Sequence, residues 1–171
     1  SLEGISGVAH NRSGTKAGNS LGGLIFTLAM VTVLEDLRLQ LQQARLIQDV
    51  ECGEWGSPYF ANLKPTTRIL SFETVYEDDL ALPLMAPASQ LLEALSMAAH
   101  IVDTTFSKYG MIVNFAPGKT EALVYAAGPS ASTLSKAIAF EHKNQLHFPG
   151  VHGQQKVLCL TKSYKHLGTT L

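Results

Sequence analysis

Charge is scarce in this chain. Asp, Glu, Lys and Arg make up only 16% of its 171 residues, against roughly 25% in an average soluble domain. The 13 basic and 14 acidic residues leave a net charge of -1, which excludes a stand-alone basic nucleic-acid binder. A polymerase whose basic surface lies in another part of a longer chain stays open. Cysteine is nearly absent. Cys52 and Cys159 are too few for a four-cysteine zinc site or a secreted disulfide scaffold, and they fit a reducing, intracellular compartment, nuclear or cytoplasmic. A single disulfide stays open. No run of about 18 uninterrupted apolar residues predicts a membrane span. The richest stretch, 21–34, holds Gly22, Gly23, Thr27 and Thr32 and runs into Glu35-Asp36. The first residues lack the basic-then-apolar order of a signal peptide. There is also no initiator methionine, and Leu171 falls inside a stretch that reads as ordered. The sequence is therefore expected to be a fragment of a longer protein. At 46% hydrophobic residues it is not a disordered polar chain, and its length suits one domain.

Residues 1–19 are rich in Gly, Ser and Asn and read as a loop. A helix is predicted over 20–46, with Leu21, Leu24, Ile25 and Leu28 at helical spacing and Asn19 or Ser20 as N-cap; its first half is expected to be buried. Residues 67–85 read as a hairpin, with a strand over 67–75, an acidic tip and a return strand over 80–85 in which Pro83 is awkward. A second helix is predicted over 87–109, its apolar face made by Leu91, Leu92, Leu95, Ala98, Ala99, Val102 and Phe106, with Gly110 as its C-terminal cap. Over 111–171, strands are expected at 111–115, 120–126, 145–148, 156–160 and from His166, and a short helix at 132–140.

Three constellations could carry chemistry. Glu77-Asp78-Asp79 places three adjacent carboxylates at the hairpin tip, where like charges repel. A divalent cation removes that penalty, and Mg²⁺ takes oxygen ligands of this kind, typically with substrate phosphates. The plainer reading is a solvated acidic turn. Gly118-Lys119-Thr120 invites a phosphate-loop reading, but Val113 stands where the first glycine of that motif belongs, and a Pro-Gly turn followed by a lysine is the simpler account. The loop Gly14-Thr15-Lys16-Ala17-Gly18 leads into the first helix and could approach an anion; many helices begin in such a loop. The six histidines form no helical metal pair, and no hydrolase triad or nucleophile elbow occurs.

The order of these features is more specific than any one of them. Lys16-Ala17-Gly18 running into Leu21-Gly22-Gly23-Leu24-Ile25-Phe26, then Tyr76-Glu77-Asp78-Asp79-Leu80, then Gly110-Met111-Ile112-Val113-Asn114 with Lys119-Thr120-Glu121, then Tyr164-Lys165-His166-Leu167-Gly168 resembles a reverse transcriptase palm. The similarity is to the non-LTR, LINE-like branch of retroelements. The resemblance covers 14–169 and implies an α+β fold over 1–171, an antiparallel hairpin-centred palm sheet with two long helices packed on one face. It implies RNA-directed DNA synthesis by two-metal nucleotidyl transfer, with Mg²⁺ as cofactor and with RNA template, DNA primer and deoxynucleotide triphosphate as partners. It also implies fingers and thumb segments elsewhere in a parent chain.

On that resemblance Asp78 is the main metal ligand and Asp79 a second or supporting one. Tyr76 packs below the primer end, and Lys16 and Gly18 border the template and nucleotide pocket. Lys119 lies near the triphosphate, and Tyr164 to Gly168 form the primer-gripping hairpin. The chain departs from the family pattern at Ala17, Asn19 and Ser20, at Glu77 inside the metal motif and at Pro83. No strand bearing a further metal-binding aspartate precedes Gly14 in these residues, so they are expected to be inactive alone. Two alternatives stay open: a non-catalytic remnant acting as an interaction domain, and an unrelated Mg²⁺-dependent phosphotransfer enzyme using the same acidic tip.

Overall fold

The structure is a computed structural model that describes residues 20–47, 49–51, 68–70, 73–76, 79–163, 165–166 and 169–170. Among them three α-helices combine with four small sheets in an α+β arrangement. Helix α1 (Ser20–Gln43) has no proline to interrupt it. It stops where Arg45 turns left-handed at φ 58°. The Arg45 N–H then bonds the Gln42 carbonyl at 2.9 Å and the Leu46 N–H the Leu41 carbonyl at 2.9 Å, and Leu46 folds back into the core. Strands β1 (Asp49–Glu51) and β2 (Arg68–Leu70) pair antiparallel, as do β3 (Thr74–Tyr76) and β4 (Asp79–Ala81).

Helix α2 (Leu91–Lys108) is the centre of the packing because it is apolar on two sides. Leu91, Leu92, Leu95 and Ala99 face one cluster with Leu134, Ile138, Leu146, Phe148, Leu158 and Leu160. Ala94, Ala98, Ile101, Val102 and Phe106 face a second with Leu37 and Leu41 of α1 and Leu80, Leu82 and Leu84 of the hairpin arm. Burying a side chain such as Phe148, fully enclosed here, contributes about 1.5–3 kcal/mol. Helices α1 and α2 run antiparallel: Gln40 reaches Thr105 at 3.1 Å, and Asp36 accepts from Lys108 at 2.7 Å. The other side of α2 rests on a three-stranded sheet of order β5-β7-β6. Its strands are β5 (Glu121–Leu123), β6 (Gln145–Pro149) and β7 (Gln155–Thr161). Strand β7 is parallel to β5 and antiparallel to β6. Helix α3 (Ala131–Lys136) continues as a π-helical turn (Ala137–Glu141) between β5 and β6. Strands β8 (Lys165–His166) and β9 (Thr169–Thr170) pair antiparallel.

Several sequence expectations need correction. The expected hairpin-centred palm sheet does not form among the described residues: the β3–β4 hairpin is its own two-stranded sheet, and the largest sheet is mixed. Nor do both long helices lie on one sheet face, since α1 rests on α2 and α2 on β6. In α1 it is the second half that is buried, through Val33, Leu37 and Leu41, while Leu24 and Leu28 are 56% and 61% exposed. The shorter α2 pairs along the later turns only, and Ile25, Phe26 and Val31 are exposed with them. The strand expected over 67–75 is split between two sheets, with Glu73 buried beside Arg38 where it divides. The return strand ends at Ala81, two residues before Pro83. Residues 111–115 form no ladder, and the 120–126 strand contracts to Glu121–Leu123. The second helix begins at Leu91 rather than at Pro87, which instead opens a turn closed by the Gln90 N–H at 2.8 Å.

Candidate active site

The acidic hairpin is rooted in the helical layer. Leu80, Leu82 and Leu84 pack on the α1–α2 cluster, and Arg38 of α1 donates from Nε to Oε1 of Glu73 at 2.6 Å. The Glu73 side chain is 1% exposed, and its Oε2 has no hydrogen-bond partner. Strands β3 and β4 pair in the register Thr74↔Ala81, Val75↔Leu80 and Tyr76↔Asp79. Only residues 77 and 78 separate the last pair, as in the shortest hairpins. Asp79 is exposed beside that connection.

Lys119 lies in a second anchored segment. Helix α2 ends in a Schellman motif. Gly110 is left-handed at φ 75°, its N–H bonds the Ser107 carbonyl at 2.9 Å, and the Met111 N–H bonds that of Phe106 at 3.0 Å. The chain then reaches a turn with Pro117 second and a left-handed Gly118, φ 77°, third, the arrangement a type II turn requires. Asn114 Oδ1 accepts the Ala116 N–H at 3.0 Å, the Asn114 carbonyl accepts the Thr120 N–H at 3.0 Å, and Glu121 Oε1 accepts the Gly118 N–H at 2.8 Å. Asn114, Thr120 and Glu121 thus brace the loop from which exposed Lys119 projects. With the Gly118 N–H taken by Glu121, this is no phosphate cradle.

The described residues include only part of the expected set and show no contact within it. Asp79 and Lys119 are placed on their separate anchored segments. Asp78, Lys16, Gly18, Tyr164 and Gly168 lie outside the described residues, as do Glu77 and the side chain of Tyr76. Strands β8 and β9 pair with His166 opposite Thr169. Asp78 and Asp79 offer the oxygen donors Mg²⁺ takes, one or two carboxylates with the rest from water or phosphate. Among the described residues no three His, Cys, Asp or Glu side chains meet as a metal group. Cys159 is a half-buried free thiol, and no helix among the described residues is long and apolar enough to cross a membrane.

Sequence reasoning missed the polar groups inside the packing. Asp103 of α2 is 2% exposed. It accepts from Lys156 Nζ at 2.7 Å and from the Val151 N–H at 3.1 Å, and the same ammonium lies 5.6 Å from the Phe115 ring centre. A carboxylate between Val102 and Thr104, well inside an apolar helix, was the available signal. At the solvent edge, Lys108 holds the Asp36 carboxyl below the usual carboxylate range, helped by Gln40, and Asp36 in turn pushes the Lys108 ammonium up. No family model, no curated protein and no solved structure matches the chain.

Proposed function

We propose that the chain is the palm portion of a non-LTR retroelement reverse transcriptase, whose parent protein synthesises DNA on an RNA template. The observation that carries this reading is the Tyr76↔Asp79 register. It leaves Glu77-Asp78 as a two-residue connection, the place where a Tyr-x-Asp-Asp motif must present its carboxylates. The braced turn from Gly110 to Glu121, which holds up Lys119, is the second support.

In this reading Asp78 and Asp79 would hold Mg²⁺, which would supply charge stabilisation for nucleotidyl transfer from the triphosphate to the primer hydroxyl. Asp79 contributes its exposed carboxylate beside the connection. Lys119, on its rigid loop, neutralises or protonates the departing pyrophosphate. Lys16 and Gly18 border the template and incoming nucleotide, Tyr76 supports the primer end, and Tyr164 to Gly168 grip the primer. These residues supply two carboxylates of a larger metal set, and positioning and electrostatic stabilisation are most of this catalysis. The 171 residues alone are therefore expected to extend no primer.

Grafting an upstream aspartate-bearing strand and fingers from a related element onto the chain tests the proposal. The chimera should extend a primer on RNA with Mg²⁺, lose activity with Asp78→Asn, and gain with Glu77→Ala as like-charge repulsion falls. Extension by the ungrafted chain that survives Asp78→Asn would refute the site. A second reading, a non-catalytic interaction domain, is favoured by the exposed apolar turns of α1; an inactive, well-folded chimera would support it.

A further inference from the structure

A cavity of about 380 Å³ opens on the side of the three-stranded sheet where β5 and β7 end. The two strands are parallel, and the cavity is lined by the residues that leave their carboxyl ends: Val124 and Ala126 after β5, and Leu160, Thr161 and Lys162 at the end of β7. Across from the strands stand Ser135 of α3 and Ile138 of the π-helical turn. π-Helical turns are rare and frequently accompany functional sites. Asn144 completes the rim from a left-handed backbone at φ 57°, which the 2.9 Å bonds of its N–H to the Ile138 carbonyl and of its carbonyl to the Leu160 N–H hold in place.

The lining has an amphipathic division. Val124, Ala126, Ile138 and Leu160 make an apolar interior. Ser135, Asn144 and Lys162 bring a hydroxyl, an amide and an ammonium to it, and none of these three side chains has a partner among the described residues. Lys162 is the one charged group in the lining. Small-molecule sites typically combine an apolar lining with a few polar groups that fix orientation, in volumes of roughly 300–1,000 Å³. We propose that this cavity binds a small amphipathic anion, its apolar body against Ile138 and Leu160 and its carboxylate or phosphate toward Lys162, Asn144 and Ser135. The site is separate from the acidic hairpin and does not depend on the polymerase reading.

Titration of the ¹⁵N-labelled full chain with octanoate, n-octanol and inorganic phosphate tests this. Octanoate should give saturable amide shifts centred on 124–126, 138–144 and 160–162, and bind more tightly than octanol or phosphate alone. Lys162→Gln, an exposed change, should weaken octanoate about three- to fivefold, the size of one solvent-edge charge contact, and bring it level with octanol. Ala139→Trp, which fills the cavity, should abolish saturation. Shifts confined to the exposed turns of α1, octanol or phosphate binding as tightly as octanoate, or octanoate affinity unchanged by Lys162→Gln would each overturn the proposal.

Discussion

Asp103 shows most clearly how one side chain can fix the relation between elements. Its carboxylate joins α2 to the start of β7 through Lys156 and to the intervening turn through the Val151 amide. Removing one partner of a buried pair leaves the other charge uncompensated. Asp103→Ala should therefore cost about 3 kcal/mol in urea unfolding, toward the low end of the range for such losses because Lys156 can still reach water. The pair Asp103→Leu with Lys156→Met should recover most of that loss. A cost below about 1 kcal/mol for the single change would show that the contact does not hold the layers together. Periodicity could not reveal this residue's role, since the partner lies 53 positions away in sequence. The Pro117-Gly118 turn was more legible, because it closes within four residues; its bracing by Asn114 and Glu121 was not, since both were expected in strands.

Local chemistry likewise decided which elements could be read in advance. Helix α2, its Gly110 cap and the acidic hairpin follow from spacing, a cap residue and a turn, all set within short windows. The parallel pairing of β5 with β7 and the exposed first half of α1 depend on what else comes to pack, and an apolar run alone does not say. The end of α1 offers a direct test at this scale. Arg45 adopts a left-handed conformation at φ 58° that glycine enters without steric cost, so Arg45→Gly should raise stability by about 0.5–1 kcal/mol in chemical denaturation. A loss of stability would mean that the Arg45 side chain makes a compensating contact.

The α1–α2 edge should also respond to pH. The pKa of Asp36 is lowered by Lys108, so its contribution is full above the ordinary carboxylate value near 3.9 and is lost as pH falls through the depressed one. The pKa of Lys108 is raised, so its contribution is full below the ordinary lysine value near 10.4 and is lost as pH rises through the elevated one. Melting temperature measured from pH 2 to 12 should show both limbs flatten in Asp36→Asn. Unchanged limbs would place the titrating groups elsewhere.

At the scale of the molecule, one helix organises two cores. The α2 helix carries the sheet on one side and α1 with the acidic hairpin on the other, so the hairpin and the Gly110–Glu121 segment are both built on the same helix. The hairpin lies on the α1 side of that helix and Phe115 of the Gly110–Glu121 segment on its sheet side, so a common centre for Asp78 and Lys119 belongs to the proposed reading alone, and the exposed turns of α1 leave apolar surface for other segments or partners. In the proposed reading the hairpin connection would bind a divalent ion within reach of Lys119. Paramagnetic broadening of ¹⁵N–¹H resonances by Mn²⁺, an Mg²⁺ surrogate, tests it most directly in the chain as it stands. Saturable broadening centred on 76–80, extending to Lys119 and to 16–18 and lost in Asp78→Asn, is the expected result. Broadening centred elsewhere, or unaltered by Asp78→Asn, would contradict it.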